Sequence, residues 1–331
     1  MSEGPPPYRI TPAILSRVAQ IAEAVGRAEA AGVSQDLRLR RINRIRTIQG
    51  SLAIEGNILS EEQISTILDG KPVVAPLRDV QEARNAIQAY DRYEQWNPAS
   101  ESDLLSAHEI LMRGLLDAPG RYRGGGVAVM GQGRVHHVGP PAGQVPRLMA
   151  DLLSWVGSTA DHPLVTSSVF HYEFEFIHPF EDGNGRLGRL WQTLILTRWK
   201  SLFAHVPVES LVRARQSEYY GAIRRSSAEG QSTAFVTFML ETILAAVRTP
   251  QVTPQVTPQV ARLLSVLHGE MSLREILHTL GLSDRKSLRQ RYLLPALQGG
   301  YLEMTRPDAP SARNQKYRLT SLGQRVRSAA D

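Results

Sequence analysis

The chain contains no cysteine. Disulfides, thiolate metal ligands and cysteine nucleophiles are therefore excluded, and any chemistry must rest on other groups. It also lacks a membrane-length apolar run: nothing approaches the ~20 consecutive apolar residues of a transmembrane helix. Residues 1–10 hold no apolar core of signal-peptide length. The expectation is a cytoplasmic, unanchored protein with no membrane partner. Over most of its length the chain also lacks excess charge. The net charge is +6, yet residues 261–331 hold 12 Lys and Arg against 6 Asp and Glu, so the first 260 residues balance at 26 of each sign. The surplus lies wholly at the C-terminal end, an asymmetry that points to nucleic-acid contact there.

What is present is the composition of a folded chain, 42% hydrophobic and 21% charged over 331 residues. At ~100–200 residues per domain, this predicts two domains. Three direct Thr-Pro-Gln-Val repeats, Thr249 to Val260, mark the boundary. A proline at every fourth residue excludes helix and central strand, so this segment reads as a semi-rigid extended linker. A proline-rich docking motif is the alternative, but aromatic or basic specificity residues are absent from the repeats. The predicted organisation is an N-terminal helical region over 1–100, a core over 101–248, a linker over 249–260 and a small basic domain over 261–331.

Apolar residues at helical spacing predict helices over Thr11–Ala31, Asp36–Ile48, Glu61–Leu68, Asp79–Tyr93 and Asp103–Leu116. The second carries Arg38, Arg40, Arg41, Arg44 and Arg46. Because Leu37, Leu39, Ile42, Ile45 and Ile48 interleave with them, the arginines read as the solvated face of an amphipathic helix. Ser60 followed by Gln63 reads as a capping box. Between Gly120 and Pro141 the pattern changes to two short strands around a glycine turn. Adjacent His136 and His137 would face opposite ways on a strand, which makes them poor joint metal ligands.

The densest stretch is His178-Pro179-Phe180-Glu181-Asp182-Gly183-Asn184-Gly185-Arg186-Leu187-Gly188-Arg189. Thr166 to Ile177 reads as a helix that Pro179 stops. Leu187, Leu190, Leu194 and Ile195 begin another, running to about Lys200. A helix starting near Gly185 offers free N–H groups and a positive dipole end, which is an anion site. Arg186 and Arg189, three apart, fork onto phosphate oxygens. Asp182 is a hard oxygen ligand of the kind Mg²⁺ takes together with substrate phosphates. His178 is a general base for an attacking hydroxyl.

This stretch resembles the signature of the Fic family, His-Pro-Phe-x-Asp-Gly-Asn-Gly-Arg-x-x-Arg, at every specified position. The resemblance implies a mainly α fold, a helical core with a β-hairpin flap. It implies transfer of AMP from ATP to a hydroxyl side chain of a target protein, with Mg²⁺ as cofactor. His178 would be the base and Asp182 the Mg²⁺ ligand. Gly183, Asn184 and Gly185 would form the anion hole, with Leu187 and Gly188 in the same nucleotide-binding stretch, and Arg186 and Arg189 would hold the triphosphate. Tyr219 and Tyr220 would lie near the adenine, core packing being the alternative for either. The strands around Val127, Val129 and Val138, followed by Pro140-Pro141, would be the flap that docks the target by strand addition.

Ser51-Leu52-Ala53-Ile54-Glu55-Gly56 resembles the family's inhibitory helix. Its glutamate would pair with Arg189 and displace the γ-phosphate. Ser51 and Gly56 complete the motif, which also fits any glycine-closed helix end. De-AMPylation, with Glu55 positioning water, is an alternative, as is transfer of another phosphate-linked group. The C-terminal residues 261–331 resemble the small α+β winged-helix domains appended to many Fic proteins. Ser283 would cap a third helix, running to about Gln298 and carrying Arg285, Lys286, Arg289 and Arg291 as a recognition face. A two-strand hairpin around the loop Thr305–Gln315 would be the wing. DNA and protein both remain open as its partner. A DNA-binding regulator that only senses ATP is the rival from another class, and an intact His178 speaks against it. The target and any homo-oligomer are not legible in the sequence.

Overall fold

The computed structural model describes residues 5–30, 37–131, 134–249, 258–282, 284–310, 312 and 314–328. The chain divides into two compact units, Met1–Val25 with Leu37–Arg248, and Gly26–Asp36 with Thr249–Asp331. Among the described residues no helix is long and apolar enough to cross a membrane.

The first unit is helical apart from one hairpin. In chain order it runs α1 (Pro12–Ala30, up to Val25 in this unit), α2 (Leu37–Ile54), α3 (Glu61–Leu68), α4 (Leu77–Arg92), α5 (Glu101–Met112), β1 (Ala128–Gly131), β2 (Arg134–Val138), α6 (Val145–Ser158), α7 (Pro163–Ile177), α8 (Asn184–Trp199), α9 (Val208–Ala214), α10 (Gln216–Glu229) and α11 (Thr233–Val247). α7 and α8 form its centre. Phe170, Phe174, Ile177, Leu187, Leu190, Trp191 and Leu194 are all buried. Around them the core takes in Ile48 and Leu52 of α2, Leu104 and Leu111 of α5, and Leu148 and Leu152 of α6. Ser60 caps α3 in the box predicted, with Gln63 answering.

α2 is longer than the periodicity alone indicated. It runs through the arginine stretch and on to Ile54, so the arginines and the Ser51–Gly56 motif share one helix. Its end closes through Gly56, at φ 93, and an Asn57 N–H that donates to Leu52 O at 3.2 Å. That left-handed stop is what a glycine supplies. The arginine face is tied down rather than simply solvated. Arg41 pairs with Asp69 at 2.7 Å, Arg44 with Asp91 at 2.6 Å and Arg46 with Glu61 at 3.5 Å. Leu37, expected on the apolar face, is 75% exposed, because it begins the helix a turn before the core-facing positions. α2 lies directly on α9: a Cβ at Gly50 would sit 2.7 Å from Ser210 N and 2.8 Å from Glu209 C.

β1 and β2 pair antiparallel, with Val129 opposite His137 and Met130 opposite Val135. The register shifts between those pairs, so His136 is the extra residue of a bulge.

The second unit holds α12 (Pro258–Val266), β3 (Met271–Ser272), α13 (Leu273–Thr279), α14 (Arg285–Leu288), α15 (Leu294–Gln298), β4 (Leu302–Met304), β5 (Lys316–Leu319) and α16 (Ser321–Ser328). Leu263, Leu264, Leu267, Ile276, Leu288 and Leu302 make its core. Four expectations need correction. The last repeat is not extended linker. Pro258 opens α12, a first-turn position where proline's missing N–H costs nothing. Residues 250–257 of the linker lie outside the described residues. The third helix is capped by Asp284, whose carboxylate accepts from Lys286 N and Ser287 N; Ser283, the expected cap, lies outside the described residues. That helix is also not continuous α. A π turn, Arg289–Leu293, precedes Pro295, which has no N–H for the α ladder. Finally, the sheet has three strands in the order β3-β5-β4, since Met271 pairs with Tyr317 and adds a strand to the expected hairpin.

Gly50→Ala should lower stability by about 1–3 kcal/mol, the ordinary cost of overpacking a close helix contact. A thermal or urea unfolding midpoint equal to wild type would contradict the α2–α9 contact.

Candidate active site

The loop between α7 and α8 is shaped by main-chain geometry first. Pro179 stops α7 as predicted, and the stop is left-handed. His178 has φ 49 and ψ 62, and it is the one non-glycine residue with positive φ among the described residues. This costs an L-residue roughly 1–2 kcal/mol. The His178 N–H still donates to Phe174 O at 2.9 Å. Phe180 then plunges into the core. Asn184 closes the loop on itself: its Oδ1 accepts from Phe180 N at 2.9 Å and its Nδ2 donates to Phe180 O at 2.9 Å. Gly183, at φ 87, is required here, since a Cβ would lie 2.6 Å from Met112 Sδ.

Two groups outside the signature hold this loop, and neither carries a sequence signal. His108 of α5 stacks on Phe180 with ring centroids 3.7 Å apart. Its Nδ1 accepts from Gly120 N at 2.9 Å, which assigns the proton to Nε2, and Nε2–H donates to Asp182 O at 2.9 Å. Burial pulls its pKa down to about 4, so the ring is neutral. Arg123 donates from Nε to His178 O at 2.7 Å.

The signature's charges form two clusters. In the first, Asp182 accepts from Arg186 Nη2 at 2.9 Å, from Arg78 Nη2 at 3.1 Å and from its neighbour Gly183 N at 2.6 Å. Burial opposes ionisation of Asp182, but Arg186, the Gly183 amide and Arg78 together hold its pKa below the usual value. Glu82 of α4 lies 3.1 Å from Arg186 Nη1, and its other oxygen accepts from Asn57 Nδ2 at 2.9 Å.

The second cluster surrounds Arg189, which is 3% exposed. Nε donates to Ser51 Oγ at 3.1 Å, and Nη2 donates to Ser51 O at 2.9 Å and to Glu55 Oε1 at 2.8 Å. The Glu55–Arg189 pair expected from the resemblance is therefore present. Burial disfavours the guanidinium's charge, but Glu55 and its neighbours outweigh it and the pKa lies above the ordinary value. Glu55 sits against the first turn of α8: a methyl at Gly185 would overlap Glu55 Oε1. Nearby, Glu175 Oε2 is 3.9 Å from His178 Nδ1. Burial, and secondarily the charge of Glu55, raises the Glu175 carboxyl to about 7 against the pull of Arg189.

Several residues assigned to the nucleotide turn elsewhere. Leu187 is fully buried in the core, and its N–H donates to Gly183 O at 3.0 Å. Gly188 permits close approach to α7, since a Cβ would lie 3.2 Å from Phe174. Helical rotation places both on the α7 side, away from the arginines. The Asn184 side chain is spent on the Phe180 main chain, so it shapes the turn between α7 and α8. Tyr219 is 2% exposed among Phe235 and Phe238, and its hydroxyl bonds His171 Nε2 at 3.1 Å. The core-packing alternative therefore holds for Tyr219. Tyr220 is half-buried, and burial followed by the charge of Glu55 raises its phenol pKa. Of the flap residues, Val127 is half-buried and Val138 is 67% exposed, while the Val129 side chain lies outside the described residues.

A helical core in which a glycine-bounded turn opens the N-terminus of α8, with a carboxylate from α2 laid against that turn, has the arrangement of a Fic-type domain. The comparisons agree. The Fic/DOC family model matches residues 98–196, and that of the filamentation-induced-by-cAMP protein Fic-like C-terminal domain matches 258–320. A solved Fic family protein from Desulfovibrio desulfuricans G20 is 52% identical, with TM-score 0.73, covering 96% of this chain and 99% of that one. The chain belongs to the Fic family. Protein adenylyltransferase Fic of Aedes aegypti is 30% identical over 210 residues, 60% of this chain and 40% of that protein. Its counterpart from Culex quinquefasciatus is 28% identical over 222 residues, 62% of this chain and 42% of that one. The chain thus spans about two fifths of the length of these curated relatives.

His108 yields a pH prediction. Its folded pKa of about 4 lies below the ordinary 6.5, so between those values the unfolded chain takes the proton first. Its stabilising contribution is complete above pH 6.5 and is lost as pH falls toward 4. Glu175, raised from 4.5 to about 7, runs the opposite way. A comparison with His108→Asn therefore isolates the histidine. Urea unfolding should show wild type more stable at pH 7.5 and the two proteins converging by pH 5. A gap that stays constant with pH would contradict the neutral, loop-holding ring.

Proposed function

We propose that the chain is a protein adenylyltransferase restrained by Glu55. The observation that carries this is the position of Glu55, against Gly185 at the start of α8 and 2.8 Å from Arg189, where a phosphate would otherwise find both a guanidinium and free N–H groups. ATP would lie along the α8 N-terminus, its phosphates on the Gly183–Gly185 turn, Arg186 and Arg189, with the adenine toward Tyr220. A target strand added to the flap would present a Ser, Thr or Tyr hydroxyl to His178. His178 takes the hydroxyl proton. The oxygen then bonds to the α-phosphorus while the bond to the bridging oxygen breaks, and pyrophosphate leaves. The helix N-terminus and the two arginines stabilise the charge that develops on the phosphates.

Asp182 fits Mg²⁺. It is a single hard carboxylate, 40% exposed in its side chain and held ionised, beside the phosphate-binding turn. Among the described residues no cluster of three or more ligating side chains occurs, so substrate phosphates and water would complete the coordination. Bound there, the ion would supply charge neutralisation at the phosphates. Both carboxylate oxygens now face guanidinium groups, so Arg78 and Arg186 would turn toward the nucleotide as it enters.

Removal of AMP is the second reading, favoured by the Glu55 side chain being 35% exposed and so within reach of water. For the C-terminal unit, exposed Arg285, Lys286, Arg289 and Arg291 support a winged-helix contact with DNA. A mobility shift by the full chain that weakens steeply with salt is expected, and no shift at low salt would assign the unit to protein docking.

With labelled ATP and cell lysate, Glu55→Gly should transfer at least ~10-fold more AMP than wild type, the equivalent of about 1.4 kcal/mol of lost competition. Adding His178→Ala should cut transfer by roughly 10²–10⁴-fold. If Glu55→Gly gains nothing over wild type, the restraining role of Glu55 is wrong.

A further inference from the structure

Arg123 lies outside the signature and is 8% exposed. Its guanidinium donates to four main-chain carbonyls: Nε to His178 O at 2.7 Å, Nη2 to Ile177 O at 3.2 Å, Nη1 to Gly125 O at 2.7 Å and Nη2 to Pro140 O at 2.6 Å. Its own N–H donates to Pro179 O at 2.9 Å. The four carbonyls come from three stretches of chain: the entry to the flap, the exit from it, and the end of α7.

The physical chemistry explains the choice of arginine. The carbonyls of Ile177 and His178 are end-of-helix acceptors that the helix itself leaves unfilled, and they form the negative end of its dipole. A cation is stable there without a carboxylate. Only a planar group with five fixed donors reaches acceptors on three sides at once, which the compact ammonium of lysine cannot do. The site is built around the guanidinium. A Cβ at Gly139 would lie 3.0 Å from Arg123 Nη2 and 2.8 Å from Val127 Cγ1, and Gly139 N donates to Val127 O at 3.0 Å to close the base of the hairpin. The left-handed backbone of His178 is one that a non-glycine residue keeps only when its surroundings impose it. Arg123 grips the carbonyl of that residue.

We propose that Arg123 is a positioning residue that couples the flap to the catalytic histidine, so that docking a target strand and orienting His178 are one event. This rests on the proposed function, because it takes His178 as the base and the hairpin as the target-docking element. A strand added to the flap loads a hairpin whose two ends share one guanidinium with the backbone of His178. The phosphate-binding groups Gly185, Arg186 and Arg189 belong to α8, and Arg123 makes no hydrogen bond to α8 among the described residues.

The test compares Glu55→Gly with Glu55→Gly carrying Arg123→Lys. The chain bearing His178→Ala serves as acceptor. With a base misplaced by a fraction of an ångström to an ångström, kcat should fall about 10–100-fold. KM for the acceptor should rise while KM for ATP stays within twofold. Hydrogen exchange on the same proteins should quicken together in residues 126–139 and 178–180, with α8 and residues 51–56 unchanged. Gly139→Ala, which crowds the guanidinium without deleting it, should give the same paired signature at smaller amplitude. Exchange that quickens in the flap while 178–180 stays protected, or a KM for ATP that rises as much as that for the acceptor, would overturn the coupling. If Glu55→Gly labels no protein at all, the proposed activity fails instead, and the exchange data decide on Arg123 alone.

Discussion

The most deeply buried arginine organises this domain. Arg189 projects from the second turn of α8 into a space closed by α2, and a guanidinium so placed must be paired or it destabilises the fold by several kcal/mol. Ser51 and Glu55 meet that requirement. Because both sit on the last turn of α2 and just beyond it, the whole helix has to lie at one depth. Gly50 permits that depth by letting α2 rest directly on the backbone of Ser210. The surface arginines of α2, paired with Asp69, Asp91 and Glu61, fix its rotation.

The same chain segment reaches the other signature arginine. Asn57 follows Gly56 immediately, and its side chain donates to Glu82, which in turn lies 3.1 Å from Arg186. Residues 55–57 thus contact one arginine directly and the other through one carboxylate. A shift of the α2 end would disturb both. That arrangement follows from the tight left-handed turn at Gly56, which brings Asn57 back over the helix end while Glu55 points the other way.

Much of this is legible in the sequence. The signature loop, the helix stop at Pro179, the capping box at Ser60 and the antiparallel hairpin are all written in local patterns. The Glu55–Arg189 pair came from family resemblance, since no spacing rule links positions so far apart. His108, Arg123, Glu82 and Asn57 were not legible for that reason: each acts through contacts to residues far along the chain, several of them main-chain carbonyls. Leu187 and Gly188 lie on the face of α8 turned from the arginines, because a motif runs along the sequence while a helix rotates, and Tyr219 is buried from α10. In the C-terminal unit, β3 is only two residues long, too short for any alternation to register. The break before Pro295 is a backbone accommodation that residue types alone mark only as a proline.

The placement of Glu55 has a further consequence for how such a site would respond to its nucleotide. A carboxylate carried on the same chain is a tethered ligand, and its effective concentration is set by connectivity, commonly in the millimolar range for short tethers. Dilution does not release it, and neither does a change in protein abundance. On the proposed reading, nucleotide must compete with a local occupant that is always present. Release would then depend on whatever bends or withdraws the end of α2, which makes the mechanics of that one helix, rather than the supply of ATP, the quantity that sets the output.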